Sequence, residues 1–288
     1  MIPCVSFAPS NQKRKTQRRE LQCLSPDEAG DGDPIGDSSG KQELSICARV
    51  LLDVSYELEK NPMTFAYQSK RSSSPYVEVV WRTEDLTDGV YVASADACWD
   101  MIFIRNKEGT SKVSLCGPCF KTTLVPYSAG NQNFGIQFKP GVILTGIAAN
   151  DMINVTEVLP MPSEDTFVLQ GITWKLPTYE RIDEFLARMA ENGLLGIDPV
   201  IMDVLENKPV NMSVRSIQRH FATTVGMSPR RVRQITSARK AVDLLLEGRQ
   251  LADISYELGY ADLPHMIRML KRFTGFTPMG NKIRGERV

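Results

Sequence analysis

Histidine is scarce in this chain. There are two in 288 residues, His220 and His265, both in the last third. A zinc site needs about four ligands, so one elsewhere would have to be built from cysteines whose spacing does not support it. Cysteine is sparse as well: six residues (Cys4, Cys23, Cys47, Cys98, Cys116, Cys119), too scattered for a disulfide framework in a chain of this length. Long apolar runs are missing. The longest, GVILTGIAA from Gly141 to Ala149, is about half the roughly 18 residues that a membrane span requires, and it holds two glycines. The start, MIPCVSFAPSNQKRK, lacks the charged-then-apolar order of a secretory signal. No nucleophile with a base, paired carboxylates or phosphate loop stands out. The expectation is a soluble, cytoplasmic protein that is not an enzyme, with no metal, no cofactor and no membrane partner.

Net charge is missing too. Thirty-four basic residues balance thirty-four acidic ones, which at face value argues against a nucleic-acid partner. The balance is uneven along the chain. From Asn211 to Val288 there are 14 Lys/Arg against 6 Asp/Glu, a surplus of +8, and the preceding 210 residues carry −8. A basic end joined to an acidic body fits a nucleic-acid-facing module attached to a partner domain.

The pattern divides the chain. Residues 1–43 join a basic cluster (Lys13, Arg14, Lys15, Arg18, Arg19) to the Gly/Asp/Ser-rich stretch DEAGDGDPIGDSSGK. They offer too little apolar surface to offset ordering entropy and read as a disordered tail. Leu44 to Leu58 reads weakly as helix. Across 44–175 short β-branched and aromatic runs alternate with turn residues: Tyr76–Trp81, Val90–Val92, Met101–Ile104, Val113–Leu115, Thr122–Val125 and Phe134–Phe138. That spacing argues for a β-rich sandwich or barrel-like domain, and a sensory or oligomerisation role is the expectation for it, not a reading of the spacing. Its aromatics Trp81, Trp99, Phe134 and Phe138 read as core. In 176–198 the period changes to 3.6: Ile182, Phe185, Leu186 and Met189 share a helix face that Asn192-Gly193 ends, giving a helical linker. Residues 199–288 read as all-α, so the fold class is α+β.

The last third carries the chemistry. Leu251, Ile254 and Leu258 make a short amphipathic helix stopped by Gly259, where positive φ suits glycine. Asp262 offers a cap and Pro264 sits in the next first turn. The helix that follows buries Met266, Met269 or Leu270, and Phe273, and its other face presents His265, Arg268 and Arg272. Two helices about a tight turn, the second displaying donors, form a helix-turn-helix whose second helix fits the DNA major groove. Upstream, Ser213 caps a helix with Val214, Ile217, Phe221 and Val225 on one side and Arg215, Gln218, Arg219 and Ala222 on the other. Arg reads guanine bidentately and Gln reads adenine. The connector from Pro229 to Glu247 has an Ile235, Ala238, Val242, Leu245 stripe, and its nineteen helical residues at ~1.5 Å each would span about 28 Å. That is close to the ~34 Å between successive major grooves on one side of DNA.

GYADLPHMIRMLKRFTGFTP resembles the C-terminal signature of the AraC/XylS family of bacterial transcription regulators, and MSVRSIQRHFATTVGMSP resembles its first recognition helix and the opening of its connector. The resemblance covers about 80 residues. It implies base-facing places for Arg215, Gln218 and Arg219 in the first helix and for Leu263, His265, Ile267 and Arg268 in the second. It also implies double-stranded DNA as partner, an unidentified small-molecule effector, RNA polymerase if the protein activates, and a homodimer. PYVEVVWRTED, ADACWDMIFI and NFGIQFKPGVIL resemble the small β-rich domain found ahead of this module in some members. One departure is Val200–Asn211, which has Pro209 near its end where the family has an Ala-containing amphipathic helix ending at a glycine, so the first unit reads as abbreviated.

Other readings stay beside this one. Arg230, Arg231, Arg233, Arg239 and Lys240 are either a solvated helix face or phosphate contacts. His265 is either exposed, in phase with Arg268 and Arg272, or a packing residue. Cys116-Gly-Pro-Cys119 has the thioredoxin tetrapeptide, which makes a thiol-redox sensor, or a thiol enzyme or DNA-repair regulator, the alternative function. That chemistry places the first Cys at a helix N-terminus, whereas Phe120–Val125 favours a strand, so a structural Gly-Pro turn is the preferred reading.

Overall fold

The computed structural model describes residues 65–278. The expected disordered tail and the weak helix at 44–58 lie outside the described residues. The β-branched and aromatic runs form strands where the sequence places them. β1 (Phe65–Lys70), β2 (Val77–Asp85), β3 (Gly89–Ala93), β4 (Asp100–Arg105), β5 (Ser111–Cys116), β6 (Thr123–Tyr127) and β7 (Gln132–Phe138) are followed by β8 (Val142–Leu144), β9 (Thr156–Val158), β10 (Thr166–Leu169) and β11 (Ile172–Lys175). Six of them make one sheet in the order β1-β2-β7-β4-β5-β9, with every pair antiparallel. β3 pairs with β6 as a separate two-stranded ribbon, and β10 with β11 as a hairpin.

The period-2 alternation gives the large sheet two different faces. On one face Val80, Met101, Phe103, Val113, Leu115, Ile136 and Phe138 are buried. They join Phe167 and Trp174 of the hairpin and Ile182, Phe185, Leu186 and Met189 of α1 (Ile182–Glu191) in one core. Phe103 stacks on Phe134 at 4.6 Å and meets Phe185 edge-on at 6.1 Å. Full burial of each such side chain contributes about 1.5–3 kcal/mol, so α1 is held firmly.

The stretch 176–198 is therefore not the helical linker that its periodicity suggests. α1 buries the expected residues, but into the β-rich core. After Gly193, Leu195–Ile197 forms β12, which pairs antiparallel with β8. The free edge of the short β8 accepts this strand, and Leu195 is buried there.

The helical end comprises α2 (Pro199–Leu205), α3 (Val214–Thr224), α4 (Pro229–Leu246), α5 (Leu251–Glu257) and α6 (Leu263–Thr274). Side-chain oxygens cap four of them: Asp198 accepts from Val200 N–H, Ser213 from Ser216, Ser228 from Arg231 and Asp262 from His265. Such a cap is worth about 1 kcal/mol. Phe221, Val232, Ile235, Ala238, Val242, Ile254, Met266, Leu270 and Phe273 form a second core, and Ala95 and Ala97 from the β-rich part complete it. Both cores belong to one structural unit.

The second sheet face is shared. At one end the β3–β6 ribbon covers Trp81, Thr83, Asp85, Ile102, Ile104 and Asn133. At the other, Gln137 meets the connector helix α4: Arg239 Nη2 donates to Gln137 Oε1 at 3.3 Å, and Gln137 Nε2 donates to Asp96 at 3.1 Å. Burial, and then the charge of Asp96, push the nearby Asp100 carboxyl well above the usual range. A carboxylate beside Asp96 is disfavoured by both the low-polarity surroundings and the like charge.

Candidate nucleic-acid interface

α3 turns Phe221 and Val225 into the second core, with Ile217 half-buried. Val214, expected on that side, is 72% exposed. α2 ends at Leu205, and residues 206–213, which include Pro209, lead round to α3 without helix, so no scaffold helix covers its first turn. Opposite the core, Arg215, Gln218, Arg219 and Ala222 are all exposed, at helical positions i, i+3, i+4 and i+7. Three long polar side chains thus share one outward stripe.

α3 is oriented by a contact that the sequence reading left aside. His220 Nδ1 lies 2.7 Å from Asp198 Oδ2, and Thr224 Oγ1 donates to the same oxygen at 3.2 Å. Asp198 Oδ1 meanwhile caps α2 through Val200 N–H at 3.0 Å. One buried carboxylate therefore ties the start of α2 to two successive turns of α3. The Asp-Pro pair at 198–199 is a helix-start signal. Its link to His220, 22 positions on, has no local signature.

α5 and α6 form the second unit about Gly259, whose φ of 69° is the left-handed value that the turn requires. Met266, Leu270 and Phe273 are buried, which settles the Met269/Leu270 alternative in favour of Leu270. Leu263, Arg268 and Arg272 are exposed, as is Lys271, which the reading did not single out. Ile267 is half-buried. His265 departs from its expected exposed stripe: it is half-buried, its ring meets Tyr260 edge-on at 5.6 Å, and its Nδ1 is buried without a hydrogen-bond partner among the described residues. Tyr260 follows the glycine turn and packs over the first turn of α6, and this withdraws the imidazole.

The basic residues of α4 separate into different roles. Arg230 and Lys240 are exposed, and Lys240 lies 3.8 Å from Glu257. Arg233 donates to the Val204 carbonyl at 3.1 Å. Arg231 is half-buried, its guanidinium 5.6 Å from the Phe120 ring and 5.9 Å from Phe273. Arg239, only 6% exposed, is the clear exception to either expected role. It faces the β-rich part, where Gln137 and Asp96 make its burial tolerable, and it is not available to a phosphate.

Cys116 closes β5, and no helix starts at it. Burial pushes its thiol up to about 12, and burial also raises Cys119. Thiolate chemistry needs the opposite shift. Gly117 lies so close to the Met152 backbone that a Cβ would not fit, which is what a packed structural turn requires. Among the described residues no group of three or more His, Cys, Asp or Glu is placed to hold a metal, and no helix is long and apolar enough to cross a membrane.

Residues 208–280 match the family described as a helix-turn-helix domain. Among curated proteins none matches the chain significantly. Similar solved structures include ToxT from Vibrio cholerae, at 11% identity with a TM-score of 0.37 over 75% of this chain and 97% of that one. ToxT from Vibrio cholerae O395 is similar at 13% identity and a TM-score of 0.35, over 75% and 95%. A ToxT structure from the same strain bound to (E)-4-(8-methylnaphthalen-1-yl)but-3-enoic acid is similar at 12% identity and 0.35, over 75% and 97%. The capped helices, the left-handed glycine turn and the two outward basic stripes lie within or beside the matched stretch, and residues 208–280 of this chain are a helix-turn-helix domain.

Proposed function

We propose that the protein is a sequence-specific transcription regulator that reads two segments of the DNA major groove, one with α3 and one with α6. The observation that carries this reading is the pair of outward stripes, Arg215/Gln218/Arg219 and Arg268/Arg272, on helices joined by an 18-residue connector. At ~1.5 Å per residue the connector spans about 27 Å, close to the spacing of adjacent grooves. Arg215, Gln218, Arg219, Leu263, Ile267 and Arg268 face base edges. Arg272 sits at the end of the second stripe, and Lys271 and Arg230 neutralise phosphates. His265 acts at the edge of the second contact by way of its packing on Tyr260. The β-rich part regulates the helical end, which it touches through Gln137, Ala95 and Phe120. In this reading 65–197 is the β-rich regulatory part and 198–278 the DNA-reading part.

Fluorescence anisotropy on the full chain with selected duplexes tests this. Affinity should fall steeply with salt, with a log–log slope of about −0.9 per neutralised phosphate, and random duplexes should bind far more weakly. Equal affinity for selected and random duplexes would remove sequence specificity from the reading.

A further inference from the structure

A cavity of about 110 Å³ lies between the β3–β6 ribbon and the second sheet face. It is smaller than the ~150 Å³ cavity that takes up benzene, so it suits a ligand of only a few heavy atoms. Four aromatic side chains wall it: Phe65, Trp81, Tyr91 and Tyr127. Phe65 meets Tyr127 edge-on at 5.9 Å, and Tyr91 tilts against Tyr127 at 6.3 Å. Trp81, expected in the core, is half-buried and forms a wall of this cavity instead. Two glycines seat the rings. A Cβ on Gly135 would strike the Trp81 indole, and one on Gly89 would strike the Tyr127 phenol.

Asp85 is the one ionisable group besides the two phenols on the cavity wall, and it is only 4% exposed. Its Oδ2 accepts from Asn133 Nδ2 at 3.0 Å, and that amide also donates to Thr83 Oγ1 at 3.0 Å. No Lys, Arg or His lines the cavity among the described residues. Burial raises the carboxyl's pKa, with the Asn133 hydrogen bond opposing. A buried carboxyl with an amide but no cation beside it, in a cavity lined by four aromatic side chains, has the makings of a cation cage. The ring quadrupoles attract a positive charge, and the carboxylate supplies the counter-ion.

We propose that this cavity binds a small organic ammonium ion and that the ribbon links its occupancy to α6. The ribbon strands that carry Tyr91 and Tyr127 have a second contact at their far end. Just beyond β3, Ala95 N–H donates to the Phe273 carbonyl at 2.7 Å and Ser94 Oγ to the Thr274 carbonyl at 3.4 Å. Val92 packs where a Cβ on Gly275 would fall. These contacts satisfy the last carbonyls of α6, which otherwise have no intrahelical partner. A cation drawn toward Asp85 pulls on Tyr91 and Tyr127, and the same strand end holds the recognition helix. The second clause rests on the DNA-reading function proposed above. The first does not.

Isothermal titration calorimetry on the full chain tests it, with tetramethylammonium chloride against tert-butanol, a neutral molecule of similar size, in buffers matched with sodium chloride. Tetramethylammonium should bind saturably and about tenfold or more tighter than tert-butanol. Asp85→Asn and Tyr91→Leu should each weaken it by about tenfold, with thermal melts reporting that both variants are folded. Equal binding of the two probes, or no tetramethylammonium binding by the unaltered chain, overturns the site whatever the variants do. Saturating tetramethylammonium should also change affinity for a selected duplex, and unchanged DNA affinity with a filled site overturns the link to α6. A chain that takes up the cation selectively but binds no duplex supports the site and counts against the DNA-reading function alone.

Discussion

The two helices with outward basic stripes, α3 and α6, share one core but differ in the polar contacts that hold them. α3 is secured from within the helical end, through Asp198 to His220 and Thr224. α6 buries Met266, Leu270 and Phe273 in the helical core and is held in addition from outside it, through backbone and side-chain donors at Ala95 and Ser94. Both helices are followed by a left-handed glycine packed on the β-rich part, Gly226 against Ile153 and Gly275 against Val92. The end of the ribbon hydrogen-bonds to the second, whereas α3 packs on the 3-10 turn Ala149–Met152 of the β-rich part. Under the DNA-reading function proposed above, the β-rich part therefore reaches the two helices by different routes, and only for α6 does the route run through the end of the ribbon among the described hydrogen bonds.

Gly275→Val should show the largest effect. It places a β-branched side chain at φ 76° and drives it into Val92. The cost should be about 2–5 kcal/mol by urea unfolding, with the loss of hydrogen-exchange protection concentrated at the end of α6. Protection lost equally in α3 would erase the distinction between the helices. Next in size, Asp198→Ala removes a cap and the shared acceptor of His220 and Thr224, and should cost about 2–3 kcal/mol. Here the loosening should centre on α2 and α3 and spare α6.

At the interface, Arg268→Ala should weaken specific DNA binding by about 1–3 kcal/mol and relax one base position. Arg215→Ala should relax a position in the other half of the site. If either variant weakens all sequences alike, that arginine contacts phosphate instead of a base. The smallest effect is expected beneath the ribbon. Asp85 has a folded pKa above its unfolded value, so between the two the native state binds more protons and stability falls as pH rises. Asp85→Asn should accordingly raise the melting midpoint near neutrality, and the gain should vanish as pH falls toward ~3.9. A gain that persists in acid would assign the effect to hydrogen bonding and not to buried charge.

The helical end was legible because its signals are local. Gly259, Asp262 and Pro264 mark a turn and a helix start within six residues, and the 3.6 period from Met266 to Phe273 marks the buried face. Charge distribution added the direction: a basic end on an acidic body. What was not legible depends on residues far apart. Arg239 reads as one more cation on α4, and only Gln137, 102 positions away, reveals it as an interior residue. His265 reads as part of an exposed stripe, and the packing of Tyr260 withdraws it. Strands as short as Val142–Leu144 and Leu195–Ile197 have too few residues to display a period, so the segment around α1 read as a linker. Phe65, Trp81, Asp85, Tyr91, Tyr127 and Asn133 come from five strands, and only strand register brings them to one cavity.

Selection of bound sites from random duplex DNA with the full chain, repeated with Arg215→Ala and Arg268→Ala, tests the central claim most directly. Two helices reading adjacent grooves predict a bipartite site with half-sites about 10–10.5 bp apart, and each substitution should relax one half and leave the other intact. A single compact site that both substitutions affect alike, or no enrichment at all, would contradict the account.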